Sequence, residues 1–385
     1  MPRAASEPPH PESSAALRVA GVDPERGFAG GETQVLGLTL ELLRLGHRAE
    51  LICDPAGRLY ERARREGVTC HPLKIHNSVD LPAAIRFRAI LRRARYDVVH
   101  FHTARAHAMA PYARGFARAL VVTRRMDYRP NRLFAPLLYG RAVDGIAAIS
   151  HGVADSLALV GVPPERITII PSGVDCEHFH PADPAASAAA RAELGVAPEA
   201  LVLGTVGMLE ARKGHRHLLE AVARIVRGGE AANMICVIAG DGSLRADLQR
   251  DAELLAVARQ VRFLGRVDDV RTVLAATDIF VFPSLREGLG VAVLEAAASG
   301  LAVVASNTGG IGDVIEDGVN GILVKPGDSE ALAAAIKRMA AAPSERAAMG
   351  QAARTRAQRD FAMTTMAART VELYRSCLAA IGRKN

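Results

Sequence analysis

Short apolar runs alternate along this chain with longer stretches in which apolar residues recur every three or four positions, the spacing of one helix face. Leu17 to Val22 predicts a buried strand, Asp23 to Gly31 a Gly-containing loop, and Gln34 to Leu45 a helix that Gly46 stops. Further strands are predicted at Ala49 to Cys53, Asp97 to His102, Leu120 to Thr123 and Gly145 to Ile149, with helices at Leu59 to Glu66 and Ala83 to Arg95. After a Pro-rich break at Pro171, Pro181, Pro184 and Pro198, expected to be the interdomain linker, the cycle restarts. Strands are predicted there at Leu201 to Val206, Met234 to Ala239, Val261 to Phe263, Asp278 to Phe282, Leu301 to Ala305 and Ile322 to Val324. Helices at His215 to Val226, Leu244 to Val257, Val291 to Ser299 and Glu330 to Ala341 fill the gaps. Strands alternating with helices imply parallel sheets covered on both faces, so the expected class is α/β with two doubly wound, Rossmann-like domains. The expected division is a disordered segment 1–15, a first domain 16–180, a second domain 181–365 and a C-terminal helix 366–385 packing back toward the first domain. Ligands of such sheets bind at the carboxyl ends of the strands, here in a cleft between the two domains.

Composition narrows the class without naming a chemistry. With 385 residues the chain has room for two domains, and its 49% apolar and 23% charged residues suit a folded protein. Five scattered cysteines without C-x-x-C spacing signal neither a disulfide framework nor a thiolate metal site, which fits a reducing cytoplasm. Neither a signal-peptide pattern nor a membrane-length apolar run is present in the sequence. The net charge of +7 is uneven: residues 1–180 hold 24 Lys and Arg against 18 Asp and Glu, and the remainder is nearly balanced. A basic first half suits an anionic partner or, equally, ordinary solvated Arg faces. The near absence of aromatic stacking platforms argues against nucleic acid.

The most informative stretch is Ser284-Leu-Arg-Glu287-Gly288-Leu289-Gly290-Val-Ala-Val-Leu-Glu295, between a strand and a helix. Gly288 and Gly290 allow a tight loop whose N–H groups approach a ligand, and the following helix start favours a diphosphate. Glu295 is placed to accept two hydrogen bonds from a ribose diol, and Glu287 to hold sugar hydroxyls. On spacing alone the same segment reads as a turn with two solvated acids. Val206-Gly-Met208-Leu-Glu-Ala-Arg212-Lys213-Gly214 has the setting of a phosphate cradle, with Lys213 as point charge and Arg212 as planar fork. Asp97-Val-Val-His100-Phe-His102 ends a strand, and the period of two puts both histidines on one face. A zinc site there is disfavoured, since His100, His102 and His107 lack a carboxylate or thiolate partner at ligand spacing. Arg124 and Arg125, with Asp127, Tyr128, Arg129 and Arg132 close by, suit an anionic acceptor or a loop that pairs its own charges.

The Glu287 to Glu295 segment resembles the E-x7-E motif of family 4 retaining glycosyltransferases, enzymes of the GT-B fold. The resemblance runs over nearly the whole chain from Leu17 and includes Asn307-Thr-Gly-Gly310, Gly318 to Gly327 and the D-x-x-H-x-H pattern ending at His102. It implies an acceptor-binding first domain and a nucleotide-sugar-binding second domain. By the same resemblance Glu287 contacts the transferred sugar and Glu295 the nucleotide ribose, with Gly288, Leu289 and Gly290 also in the donor site. His102 reaches the donor sugar or stabilises developing charge, Gly30 and Gly31 lie beside the donor phosphate and the acceptor, and Gly240 and Asp241 lie near the nucleotide base. Arg124 and Arg125 are the candidate acceptor contacts, and Pro171 to Asp175 a hinge turn. The family usually carries an Arg where this chain has Met208. The implied reaction moves a sugar from a nucleotide-diphosphate sugar to a saccharide, lipid-linked or other hydroxyl, in cell-envelope or polysaccharide synthesis. It uses no cofactor and no essential metal. Alternatives are an epimerase or hydrolase of the same fold and a non-catalytic nucleotide-sugar-binding subunit. The basic segment Ala83 to Arg95 suggests peripheral contact with an anionic membrane at the cytoplasmic face.

Overall fold

A computed structural model describes residues 15–126, 135–229 and 233–383. All but the last residue of the segment expected to be disordered lies outside these residues, as do Asp127, Tyr128, Arg129 and Arg132. The first sheet is built from β1 (Arg18–Asp23), β2 (Arg48–Cys53), β3 (Cys70–Pro72), β4 (Val98–Phe101), β5 (Ala119–Arg124), β6 (Gly145–Ala148) and β7 (Ile167–Ile169). Its order is β3-β2-β1-β4-β5-β6-β7. The second contains β8 (Leu201–Val206), β9 (Met234–Ala239), β10 (Val261–Gly265), β11 (Ile279–Phe282), β12 (Ala302–Ser306) and β13 (Gly321–Val324), in the order β10-β9-β8-β11-β12-β13. Every neighbouring pair is parallel.

Both sheets reverse their winding once, between β1 and β4 and between β8 and β11. Helices leaving the sheet on opposite faces at such a point part the connections and open a crevice above the strand ends. The loops after β1, β4, β8 and β11 are those that carry Gly30 and Gly31, His102, the Gly207 to Gly214 segment and the Glu287 segment. Topology therefore brings four separate motifs to one cleft.

Several expectations need correcting. β3 and β7 were not predicted: each is a three-residue edge strand, and Cys-His-Pro carries no β pattern, Pro being tolerated only at an edge. The Pro-rich break is not an open linker. Asp183 caps a helix at Pro184–Glu193, its carboxylate accepting from Ala186 N at 2.8 Å, and Pro184 occupies the helix start. That helix belongs to the second domain, where Arg191 bonds Asp278 at 2.8 Å.

The C-terminal helix runs Met363–Gly382. The chain crosses back where Val174 N donates to Phe361 O at 2.8 Å and Met363 N to Val174 O at 3.0 Å. Met366, Val371, Tyr374 and Cys377 then pack with Val19, Leu38, Val98 and Val121 of the first domain. A second apolar cluster joins the domains beside the cleft, with Ile149 and Val153 against Leu289, Val293 and Ile311. Each fully buried aliphatic side chain of this kind contributes about 1.5–3 kcal/mol.

Candidate donor and acceptor site

The loop after β8 passes through Gly207 and a short 3-10 turn at Ala211–Lys213 before the helix His215–Arg227. The loop after β11 is stitched to it: Leu285 N and Arg286 N donate to Arg212 O at 2.8 and 3.3 Å. Its far side is held by Thr308 Oγ1 on Leu285 O at 3.1 Å and Gly310 N on Gly288 O at 3.1 Å. Gly309 has φ +55°, and a Cβ there would overlap the Glu287 carbonyl oxygen, so this turn needs glycine.

That framework brings Lys213 and Glu287 together as an ion pair, both side chains 13% exposed. Arg212 adds a contact to the same carboxylate oxygen at 3.8 Å while bonding Glu210 at 3.0 Å. The Lys213 ammonium also lies 4.9 Å from the centre of the Phe282 ring. Burial lowers its pKa, and the Glu287 carboxylate partly offsets this. The expected phosphate ligand and the expected sugar ligand are therefore each other's counter-ions.

Gly290, at φ +88°, precedes the helix Val291–Ala298, which carries Glu295. No hydrogen bond or ion pair engages the Glu295 carboxyl among the described residues, and burial pushes it up to about 8. Two further polar atoms border this region without partners: His215 Nδ1 and Ser284 Oγ. Gly30, first residue of the helix Gly30–Arg44, sits where a Cβ would lie 3.3 Å from Val291 Cγ2, so the starts of two helices from different domains face each other. Gly31 beside it meets nothing and leaves open space.

On the first domain's side, register and alternation place Val19, Gly21 and Asp23 of β1, Val98 and His100 of β4 with His102 just beyond it, and Val121 and Thr123 of β5 with Arg125 just beyond it on one face. The lower positions lie under the C-terminal helix, and Asp23, His102 and Arg125 come last, at the cleft. Burial lifts the Asp23 carboxyl to about 7, even though it accepts from Glu25 N at 3.0 Å. Burial lowers Arg125 to about 10, with Asp23 and Glu32 pulling the other way, so it stays charged at neutral pH. His102 is held well below the ordinary imidazole range by burial, next by His100 and then by Arg125, and is neutral. Among the described residues its Nδ1 has no partner, and neither has Arg125 Nε.

Not every expected residue faces the cleft. Arg124 does not lie beside Arg125 in a surface loop: it is the last residue of β5, 6% exposed, and alternation turns it to the opposite face. Leu289 is 1% exposed within the interdomain cluster, so only its main chain is available to a ligand. Asp241 is exposed and pairs with Arg245 at 3.6 Å, while Gly240 packs against the Gly207 carbonyl at the rim of the cradle. The Pro171 to Asp175 turn is anchored by Gln34, whose amide exchanges two 2.7 Å hydrogen bonds with the Gly173 main chain. His107 bonds Leu138 O at 2.9 Å, apart from the His100 and His102 pair. No group of three or more His, Cys, Asp or Glu able to hold a metal occurs among the described residues. Sequence reasoning gave no role to Asp23, His215 or Ser284, although Ser284 opens the Glu287 segment; burial without full pairing among the described residues marks them.

Residues 187–356 match the family described as Glycosyl transferases group 1, and residues 28–178 match Glycosyltransferase Family 4. The alpha-maltose-1-phosphate synthase of Mycolicibacterium smegmatis is 33% identical over 62% of this chain, and the match spans 64% of that relative's length. The lipopolysaccharide core biosynthesis glycosyltransferase LpsE of Rhizobium meliloti is 33% identical over 70% of this chain and 73% of its own. In structure, Anabaena HepE in complex with UDP superposes with a TM-score of 0.83 at 22% identity, covering 94% of this chain and 100% of HepE.

Proposed function

The chain belongs to the family 4, group 1 glycosyltransferases, and from that premise we propose that it transfers a sugar, with retention of anomeric configuration, from a nucleotide-diphosphate sugar to a hydroxyl of a saccharide or lipid-linked acceptor. The observation that carries this reading is the meeting of Lys213, Arg212 and Glu287 beside two facing helix starts, at Gly30 and Val291. A diphosphate leaving group gains negative charge as the glycosidic bond breaks. Two cations and two helix N-termini supply a stabilising field at fixed positions without a proton donor. On donor binding Lys213 exchanges Glu287 for phosphate, and the released carboxylate accepts sugar hydroxyls. Glu295 takes the ribose diol. Asp23, His102 and Arg125 face the acceptor side, where the neutral His102 imidazole polarises or steadies the sugar without adding charge. Retention follows from same-face attack, in which the departing phosphate takes the acceptor proton, so neither glutamate is the nucleophile.

This site needs no essential metal, because Lys213, Arg212 and the helix starts hold the place a cation would take. A screen of uridine, guanosine and adenosine diphosphate sugars tests the reading. One donor is expected to raise the melting temperature and to yield glycosylated product only with acceptor, unchanged in excess chelator. HepE and other relatives bind or use UDP compounds, so UDP-sugars come first. Donor consumption independent of acceptor points instead to a hydrolase. Turnover abolished by chelator and restored by magnesium rejects the metal-free mechanism.

We also propose contact with an anionic membrane through the helix Leu81–Ala94. Arg86, Arg88, Arg92 and Arg93 are exposed along it. Next to them Val79, Leu81 and Ile85 project into solvent at 76, 59 and 67% exposure, an apolar tip beside a basic face. Among the described residues no helix is long and apolar enough to cross a membrane. Each Arg near an anionic surface contributes about 1 kcal/mol. Flotation with anionic but not neutral vesicles is expected, and Leu81→Ser with Ile85→Ser is expected to abolish it; equal flotation with both vesicle types removes the proposal.

A further inference from the structure

His102 is the first domain's contribution to the donor site, yet nothing bonds its Nδ1 among the described residues, and its ring is steadied by packing. The neighbour it packs on is His100, whose ring centre lies 4.0 Å away at a 39° tilt. His100 is gripped at both ends. Its Nδ1 bonds Tyr374 Oη at 2.7 Å and its Nε2 bonds Thr123 Oγ1 at 2.7 Å. A neutral imidazole has one donor and one acceptor nitrogen, so two hydroxyls satisfy both and exclude the flipped ring. Burial keeps His100 neutral, at about 3. Tyr374 is fully buried on the C-terminal helix and crosses edge-on to His100 at 5.6 Å between ring centres. It stands outside both matched stretches, 28–178 and 187–356.

We propose that Tyr374 is a positioning residue for His102, acting through His100: the returning C-terminal helix sets the orientation of the imidazole that faces the donor sugar. The idea rests on the role given to His102 above. The chain from Tyr374 Oη to His100 to His102 is continuous: Thr123 bonds the other nitrogen of His100, the two imidazoles stack, and His102 lies over Gly21, where an added Cβ would come 3.4 Å from its Nε2. The helix that ties the two domains therefore also reaches the site, and losing its hydroxyl frees His100 to turn.

Protein labelled with 15N at histidine tests this without a substrate. In the wild type, long-range proton–nitrogen spectra are expected to show His100 and His102 each in one neutral tautomer. Tyr374→Phe, or Thr123→Val should the first variant fold poorly, is expected to change the ring signals of both histidines. Thr370→Val, a buried hydroxyl on the same helix that bonds only Met366 O, is the control and is expected to leave them unchanged. Unaltered His102 signals in Tyr374→Phe overturn the proposal. With the donor found in the screen, Tyr374→Phe is expected to lower kcat roughly tenfold, the scale of one hydrogen bond, with donor KM unchanged. In a His102→Ala background it is expected to have no further effect on kcat, and equal losses in both backgrounds also overturn the proposal. Wild-type turnover in His102→Ala instead rejects the role assigned to His102, leaving the spectral result to decide whether Tyr374 orients it.

Discussion

Lys213→Ala is expected to lower kcat/KM for the donor by about a hundred- to a thousandfold, the scale of removing one preorganised charge from a developing anion. The loss should fall mainly on kcat, because the charge on the departing diphosphate grows along the reaction. The same substitution also touches stability. Lys213 neutralises Glu287, and its removal leaves that half-enclosed carboxylate with the Gly288 N–H at 3.3 Å and with Arg212, 3.8 Å away, as its remaining cation among the described residues. Breaking a buried pair costs roughly 3–5 kcal/mol, and less is expected here because both side chains retain some solvent contact. Combining Lys213→Met with Glu287→Gln should therefore recover the melting temperature while leaving turnover low. Thermal denaturation and steady-state kinetics on the single and double variants check this. Wild-type kinetics in Lys213→Ala would remove the phosphate assignment, and turnover restored along with stability would reduce Lys213 to a structural counter-ion. Glu287→Ala, by contrast, is expected to reduce turnover while leaving the cationic phosphate contacts in place.

The second large effect is expected at Glu295, with opposite signs in stability and binding. Its carboxyl is raised from 4.5 to about 8 by burial without a partner. The folded protein thus holds a proton that the unfolded chain releases between those values. Stability from this group is complete below the unfolded pKa and is lost as pH rises toward 8, on the order of a few kcal/mol across the window. Glu295→Gln should then be nearly neutral at pH 5 and raise the melting temperature by a few degrees at pH 8. The donor's ribose diol donates hydrogen bonds to the ionised form, so the same variant should bind donor more weakly, and most clearly at pH 8. Glu295→Ala is expected to weaken donor binding as well, with kcat much less affected. Melting curves at the two pH values, with and without donor, check both signs. A variant no more stable than wild type at pH 8 shows that the carboxyl is solvated, and unchanged donor affinity removes the ribose role.

An unpaired acid in the cleft costs folded stability, and under the proposed function it is a receptor ready to accept hydrogen bonds. The same economy is visible at Asp23, lifted to about 7, and in the unpartnered atoms of His102, His215, Ser284 and Arg125. They cluster at the carboxyl ends of β1, β4, β5, β8 and β11 and on the helices that follow. Gln260 Oε1 and Arg356 Nε are unpartnered elsewhere among the described residues, so incomplete pairing is concentrated at the cleft rather than confined to it.

Much of this architecture was legible beforehand. Strands such as Leu201–Val206 and Met234–Ala239 matched their predicted ends, because buried parallel strands are continuous apolar runs that no helix face imitates at that length. The loop motifs at Lys213, Glu287 and His102 were legible too, since backbone approach and helix starts demand particular residues at fixed short spacings. The short edge strands and the capped helix at Pro184–Glu193 were missed, the first for lack of any pattern and the second because its prolines read as a break rather than as a helix start. Arg124 and Arg125 looked alike as neighbours, and only the strand's alternation separated a buried residue from one at the cleft.

By itself, then, the chain's pattern determined two wound domains, the strand-end loops and the residue types that fill them, all of which depend on local spacing. The tertiary structure alone decided which of those residues meet. The pairing of Lys213 with Glu287 spans 74 positions, and the bond of His100 to Tyr374 spans 274. No local periodicity encodes such contacts, because they are set by strand order and by the return of the final helix across the first sheet.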